Sequence, residues 1–189
     1  MPGVEQGRTV TLRDGARVRL RQVVPDDKRL LVDVFDHMSE RSRYRRFFTG
    51  VRELSPVTLT YFTEIDHSER EAIIAIDDDS ERALGVARYV RLQADPATAE
   101  LAVAVVDEWH HRGLAPLMLE ELSRRARSRG VERFVAVVQA SNRDALALAD
   151  GVGESRVRLA GPNLELSIEL GSHTDTGALA GHEPRGPQG

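Results

Sequence analysis

Apolar and polar positions alternate over residues 9–12 and again over 17–23, on either side of Arg13-Asp14-Gly15, a pattern that predicts a hairpin. Pro25, Asp26 and Asp27 then open a helix, where the missing proline N–H costs nothing and the acids complement the helix dipole. Its apolar face is Leu30, Leu31, Val34 and Met38. Ser39 is placed to cap a second helix running to Phe48, and Ser55-Pro56 starts a third with Leu59 and Phe62 inward. From Glu71 the apolar pattern takes the form of strands. Residues 72–76 and 84–93 flank a turn at Asp77-Asp78-Asp79-Ser80, and Ala94-Asp95-Pro96 leads into a strand over 98–106.

The stretch from Glu100 to Leu122 organises the second half of the chain. A continuous apolar strand, 101–106, meets an abrupt turn, 107–112, and from Gly113 a helix begins. Leu114, Leu117, Met118 and Leu122 share one face of it, with Glu120, Glu121, Arg124 and Arg125 largely off that face. A strand over 134–139 is apolar through its centre, as an interior strand should be. Ser141 or Asn142 caps a short helix carrying Ala145, Leu146 and Leu148, and residues 156–159 and 164–170 close a hairpin across Gly161-Pro162-Asn163. One domain over 9–170 is expected, with a flexible N-terminus at 1–8 and a disordered tail at 171–189 whose composition cannot repay its ordering entropy. The element order describes a mixed α/β (α+β) fold, a mainly antiparallel sheet flanked by helices. It is not a doubly wound dinucleotide fold, and no GxGxxG is present.

Composition narrows the setting. With 189 residues, 41% hydrophobic and 30% charged, the chain suits one well-buried domain. A net charge of −4 argues against a general nucleic-acid binder. There is no cysteine, hence no disulfide, thiolate nucleophile or Cys-type zinc site, and no apolar run long enough for a membrane span or signal peptide. A cytoplasmic protein without membrane or nucleic-acid partners is the expectation. Lys28 is the only lysine, which GC-rich codon usage explains more simply than avoidance of self-modification. No metal is expected: Asp77 to Asp79 lack an EF-hand's glycine and distal glutamate, and His110-His111 carry no metal-ligand spacing. The arginines at 41, 43, 45 and 46 are read as a solvated helix face, with an acidic partner or a cofactor phosphate as the alternative.

The helix that starts at Gly113 has unpartnered N–H groups and partial positive charge at its first turn, and Gly113 and Ala115 leave the backbone open to an approaching phosphate. His110-x-x-Gly113-x-Ala115 sits at one strand–helix junction and Asn142-x-x-Ala145 at the next. This pair of motifs resembles the Gcn5-related N-acetyltransferase (GNAT) superfamily, whose acyl-CoA loop has the form Gln/Arg-x-x-Gly-x-Gly/Ala. The resemblance covers roughly 9–170. More narrowly, residues 39–48, Leu54-Ser55-Pro56, Thr63-x-x-Asp66-His67 and 99–115 are similar to bacterial protein lysine acetyltransferases. In those proteins the domain is commonly joined to a cyclic-nucleotide-binding or acyl-CoA-synthetase-like domain. The acetyltransferase pattern uses up this chain, so such regulation is expected to be absent or supplied in trans. Three departures stand out: His110 replaces glutamine or arginine, Ala115 takes the allowed alternative to glycine, and Ala149 stands where many members have a general-acid tyrosine.

The resemblance implies transfer of an acetyl group from acetyl-CoA to a primary amine, a protein lysine or, alternatively, a small-molecule amine. A non-catalytic acyl-CoA-binding domain is the remaining alternative, suggested by His110 and Ala149. An acceptor lysine is almost wholly ammonium at neutral pH and needs a base. Glu100 is the candidate, on the same strand face as Ala102, Ala104 and Val106, whose apolar surfaces should desolvate it. Asp107 and Glu108 are expected to hold the turn. In the family resembled, a bulged strand end would place the Val105 and Val106 N–H groups at the thioester carbonyl. The N–H groups of His111, Arg112, Gly113, Leu114 and Ala115 would hold the pyrophosphate, with Arg112 adding charge. Asn142 would bond the pantetheine arm as well as cap its helix, and water or Ser141 would serve the departing thiolate.

Overall fold

The computed structural model describes residues 7–171. Residues 1–6 of the segment expected to be flexible, and 172–189 of the expected tail, lie outside the described residues. The first hairpin joins β1 (Arg8–Thr11) to β2 (Arg17–Gln22). A single 3-10 turn at Pro25–Asp27 leads into α1 (Lys28–Asp36), fixed by the buried Asp27 carboxylate, which accepts the Val24 N–H at 2.8 Å and faces Arg21 at 2.6 Å. The two serine caps form where the sequence puts them: Ser39 accepts the Ser42 N–H ahead of α2 (Glu40–Phe47), and Ser55 accepts the Thr58 N–H ahead of α3 (Pro56–Thr63).

The strands β3 (Arg70–Asp77), β4 (Ala83–Leu92) and β5 (Asp95–Val105) form an antiparallel meander. Its second turn is tighter than the sequence suggests, only Gln93-Ala94, and Pro96 lies inside β5. The strand tolerates it because the β4–β5 register slips there, from Arg91↔Ala99 to Leu92↔Asp95, at a residue with no N–H to donate. After β5 come α4 (Leu114–Ser128), β6 (Arg133–Gln139), α5 (Arg143–Asp150) and the hairpin of β7 (Glu154–Ala160) and β8 (Asn163–Glu169). All eight strands join one sheet in the order β1-β2-β3-β4-β5-β6-β8-β7. Every neighbouring pair is antiparallel except β5 with β6. This is the mixed, mainly antiparallel α/β fold expected.

The helices divide between the sheet's faces. A Cβ at Gly85 would meet the Ala104 carbonyl at 2.7 Å and the Met118 sulfur at 3.3 Å, so α4 presses directly on β4 where glycine leaves room. The next residues in alternation, Val86 and Arg88, face the other way, toward α1 and α3. Between sheet and α4 lies the densest part of the core, with Tyr89, Phe134, Leu114, Met118, Leu119 and Leu122 essentially sealed from solvent. Contrary to the helical-face expectation, Glu121 and Arg125 are buried too. Their burial is possible because charges meet: Arg125 Nε lies 2.7 Å from Glu121, and the fully buried Glu71 on β3 faces Arg129 at 3.3 Å and His67 at 2.7 Å. No helix among the described residues is long and apolar enough to cross a membrane.

Phe134 stacks at 5.8 Å on Tyr89 and fixes β6 to the rest of the sheet. Phe134→Ala is expected to cost about 3–5 kcal/mol of unfolding free energy, read from the shift of a urea or guanidinium unfolding midpoint.

Candidate active site at a strand fork

The parallel strands β5 and β6 pair only over Thr98↔Arg133, Ala99↔Phe134 and Glu100↔Val135. Beyond that point β5 stays with β4 in unbroken register to Gly85↔Val105, while β6 stays with β8 to Gln139↔Asn163. The two strands therefore part, and their facing edges carry backbone N–H and C=O groups without each other as partners. Such edges accept an extended ligand carrying amides or a carbonyl. Glu100 stands at the vertex of the fork.

The end of β5 departs from the sequence reading in one respect. No bulge interrupts the β4–β5 register at Val105, and the Val106 N–H is already donated to the Leu84 carbonyl at 2.9 Å. Val106, buried in the core, cannot also supply a free donor to a ligand carbonyl. Alternation in an antiparallel ladder turns Val105 the opposite way, toward the fork. Its carbonyl accepts from His110, whose Nε2 lies 3.0 Å away and donates as an N–H. That bond folds the turn back onto the strand end. Asp107 locks the other side of the turn: its carboxylate accepts the Ser39 N–H at 3.2 Å. Burial works to raise the Asp107 pKa, but hydrogen bonds from Ser39 and Ser42 outweigh it and leave the carboxyl below its ordinary value.

At the start of α4, His111 and Gly113 both have left-handed backbone, with φ of 59° and 87°. Nothing lies within 4 Å of where a Cβ on Gly113 would sit, so the glycine is needed for conformation and leaves open space beside the helix start. No side chain caps this end. Pro116 brings no N–H and the Leu117 N–H returns to the Gly113 carbonyl, so Leu114 and Ala115 carry the helix's own free donors. Arg112 is otherwise engaged: its guanidinium stacks 3.8 Å over the Trp109 ring and pairs with Asp14 at 2.6 Å, holding the Asp14 carboxyl below its usual value. The expected phosphate contact from the Arg112 side chain would have to compete with both partners. Asn142 caps α5, accepting the Ala145 N–H at 3.3 Å, and Ala149 is buried, so no acidic hydrogen stands at its position.

On the sheet face away from α4, a cleft opens between α1, α2, α3 and the strand pair β4–β5. Its walls are apolar, with Phe35, Phe47 and Phe62 among them, and its floor includes Ala102 and Ala104 in alternation with Glu100. Glu100 itself is exposed, so the desolvation expected from its small neighbours is not found. The Glu100 carboxylate acts on the Arg46 and Arg88 guanidinium groups, which both line the cleft. Burial, and then Arg88, push the Arg46 pKa down to about 10, and burial lowers that of Arg88 as well.

The arginine run 41–46 is thus not a uniform solvated face. Arg43 bonds the Phe35 carbonyl at 3.0 Å and stacks on its ring, Arg45 pairs with Asp144 at 3.3 Å, and Arg46 turns into the cleft. Arg88 had no motif to mark it. Its signal is positional, a charged residue in an apolar strand, directly across from Ala102. Among the described residues no group of three or more His, Asp or Glu side chains is arranged to hold a metal ion.

The open fork and the uncapped, sterically clear start of α4 together fit a ligand with an amide-bearing arm and a pyrophosphate. Gly113→Ala forces a side chain into left-handed backbone at about 1–2 kcal/mol and tilts the Leu114 and Ala115 donors. The expected outcome is at least a tenfold rise in the Kd for CoA by calorimetry, with unchanged circular dichroism.

Comparison with known proteins agrees with this geometry. The family model described as Acetyltransferase (GNAT) family matches residues 36–153. Acetyltransferase PA5475 of Pseudomonas aeruginosa is 27% identical over 135 residues, covering 70% of this chain and 72% of that protein. Acetyltransferase Pat of Mycolicibacterium smegmatis is 29% identical over 149 residues, 79% of this chain but only 44% of that longer protein. Among solved structures, the GNAT domain of S. lividans PAT superposes with a TM-score of 0.79 at 30% identity, covering 87% of this chain and 97% of the domain. With its family model matched over residues 36–153 and its fold superposing on that domain, the chain belongs to the acetyltransferase (GNAT) family, the acetyl-CoA-dependent N-acyltransferases.

Proposed function

We propose that the chain transfers the acetyl group of acetyl-CoA to the side-chain amine of a protein lysine, with Glu100 as the base. The observation that carries this reading is the position of Glu100, at the point where β5–β6 pairing ends and on the sheet face that floors the apolar cleft. The thioester arm has the fork on one side of that carboxylate, and an amine entering the cleft has the other. The likeness of residues 39–48, Leu54-Ser55-Pro56, Thr63-x-x-Asp66-His67 and 99–115 to bacterial protein lysine acetyltransferases supports lysine as the acceptor. The cysteine-free sequence supports a cytoplasmic setting.

The acceptor arrives as an ammonium, near pKa 10.4 in water. Arg46 and Arg88 are like charges beside its path and favour the neutral amine, while the Glu100 carboxylate takes the released proton. The amine nitrogen then bonds the thioester carbonyl carbon and the C–S bond breaks, its electron pair leaving with sulfur. The Val105 N–H, on the fork side of β5, is the donor available to the carbonyl oxygen as it gains charge. The pyrophosphate would rest on the Gly113, Leu114 and Ala115 backbone, with His111 and Arg112 N–H groups adjoining, and Asn142 would meet the pantetheine arm. With Ala149 in place of a tyrosine, the second proton of the amine nitrogen leaves through water, or by way of the exposed Ser141, and the thiolate gains a proton by the same route.

Glu100→Gln is expected to lower kcat about a hundredfold or more and to flatten the acid limb of kcat/KM against pH, while the Kd for acetyl-CoA stays put. An unchanged rate and pH profile would remove Glu100 from the mechanism. Incubating the protein with labelled acetyl-CoA and a cell lysate should place label on lysine side chains of polypeptides; label confined to small molecules would exclude the lysine reading.

A further inference from the structure

We propose that the cleft beside Glu100 contains a carboxylate-binding subsite formed by Arg88 and Arg46, so that the preferred acceptor carries an anionic group close to its reactive amine. The proposal deepens the reading of this cleft as the acceptor side and rests on it.

Arg88 is the uncommon feature. It is 7% exposed, projects from β4 into the cleft, and its Nη1 has no hydrogen-bond partner. Arg125, the other buried arginine, has Glu121, and the half-buried Arg129 has Glu71; Arg91, whose Nε is also unpartnered, bonds the Pro96 and Arg129 carbonyls through its other nitrogens. Arg88 and Arg46 have no ion pair among the described residues. What holds Arg88 is aromatic, with its guanidinium carbon 4.9 Å from the Tyr61 ring centroid and 4.7 Å from that of Phe62. Stacking of this kind orients the guanidinium by its faces, and the Tyr61 side chain also serves it as a hydrogen-bond partner, which leaves Nη1 as the N–H group still open to another acceptor. A buried donor left unmade is costly, so the site is incomplete without an acceptor atom. Arg46 brings a second guanidinium to the same cleft, and the two positive charges act on each other unfavourably there. An anion between them would relieve both deficits, and a planar carboxylate matches the arginine fork.

The sheet register fixes the relation to the chemistry. Arg88 lies opposite Ala102, two residues along β5 from Glu100, which makes Arg88 and Glu100 diagonal neighbours on one face. Diagonal neighbours lie roughly 7–8 Å apart. An acceptor could therefore place its amine at Glu100 while its carboxylate meets Arg88. That carboxylate could belong to an acidic residue flanking a target lysine or to a small amino acid.

Two matched pairs separate these sources while changing only the charge: a blocked Gly-Lys-Glu-Gly peptide against its Gln counterpart, and 6-aminohexanoate against 6-aminohexanamide. Binding to the full-length protein is measured by calorimetry, which needs no turnover, and kcat/KM with acetyl-CoA is measured next. The carboxylate member of at least one pair is expected to bind at least tenfold more tightly, and which pair does so identifies the source. The preference should vanish in Arg88→Gln and in Arg46→Gln and partly return in Arg88→Lys, with CoA affinity retained as the check on folding. Equal binding within both pairs overturns the subsite, as does a preference that survives both glutamine substitutions. A binding preference with no acetyl transfer to any member supports the subsite and instead refutes the catalytic reading of Glu100.

Discussion

Two strands that pair over three residues and then part set the terms for the rest of the molecule. A sheet that stayed closed between β5 and β6 would satisfy every backbone group on those edges and leave no place for a ligand. Separation leaves donors and acceptors on both edges, a cost that a ligand arm or water must offset. The fork is held open from outside: β5 is bound to β4 through Val105, β6 to β8 through Gln139, and neither can leave its partner without breaking a regular ladder. The chain that crosses between them supplies the helix start at Gly113 and brings it to the mouth of the fork.

Charge is distributed around this frame in two ways. On the α4 face, buried ions are matched, with Glu71 and Glu121 against Arg125 and Arg129, and their role is to hold the helix to the sheet in one arrangement. On the cleft face, Arg46 and Arg88 have no ion pair among the described residues and feel only the more distant Glu100 carboxylate. The same sheet thus carries an ion-paired cluster on its α4 face and two arginines without such a pair on the other.

The turn between β5 and α4 ties these parts together. His110 reaches back to the Val105 carbonyl, Asp107 takes the Ser39 N–H, and Arg112 leans on Trp109 and Asp14. Side chains that the sequence offers to the phosphate are spent on holding the loop's shape, which leaves the backbone N–H groups of Leu114 and Ala115 as the free donors at the helix start. Substitution of the usual glutamine or arginine by His110 is compatible with this division, because its observed role is to a carbonyl within the protein.

Element order, the serine caps, the mixed sheet and the loop glycine are legible from the sequence because each rests on local chemistry: period, capping side chains, and a residue that tolerates positive φ. Glu100, Ala102 and Ala104 share a face by strand alternation alone. Other features required the tertiary structure. Strand period cannot show where β5 leaves β6, so neither the fork nor the Val105 edge can be read from it, and the family resemblance offers the Val106 N–H to a ligand although Leu84 holds it. Helical periodicity places Glu121 and Arg125 outside, since it cannot show that the two are buried as a pair, with Glu71 of β3 a further 3.9 Å from Arg125. Arg88, one arginine among many in the sequence, acquires meaning only when the register sets it across from Ala102, beneath two aromatic rings and with its Nη1 unpartnered. Local interactions are written in neighbouring residues; pairing between distant strands, and the charges left over when they pair, exist only once the chain has folded.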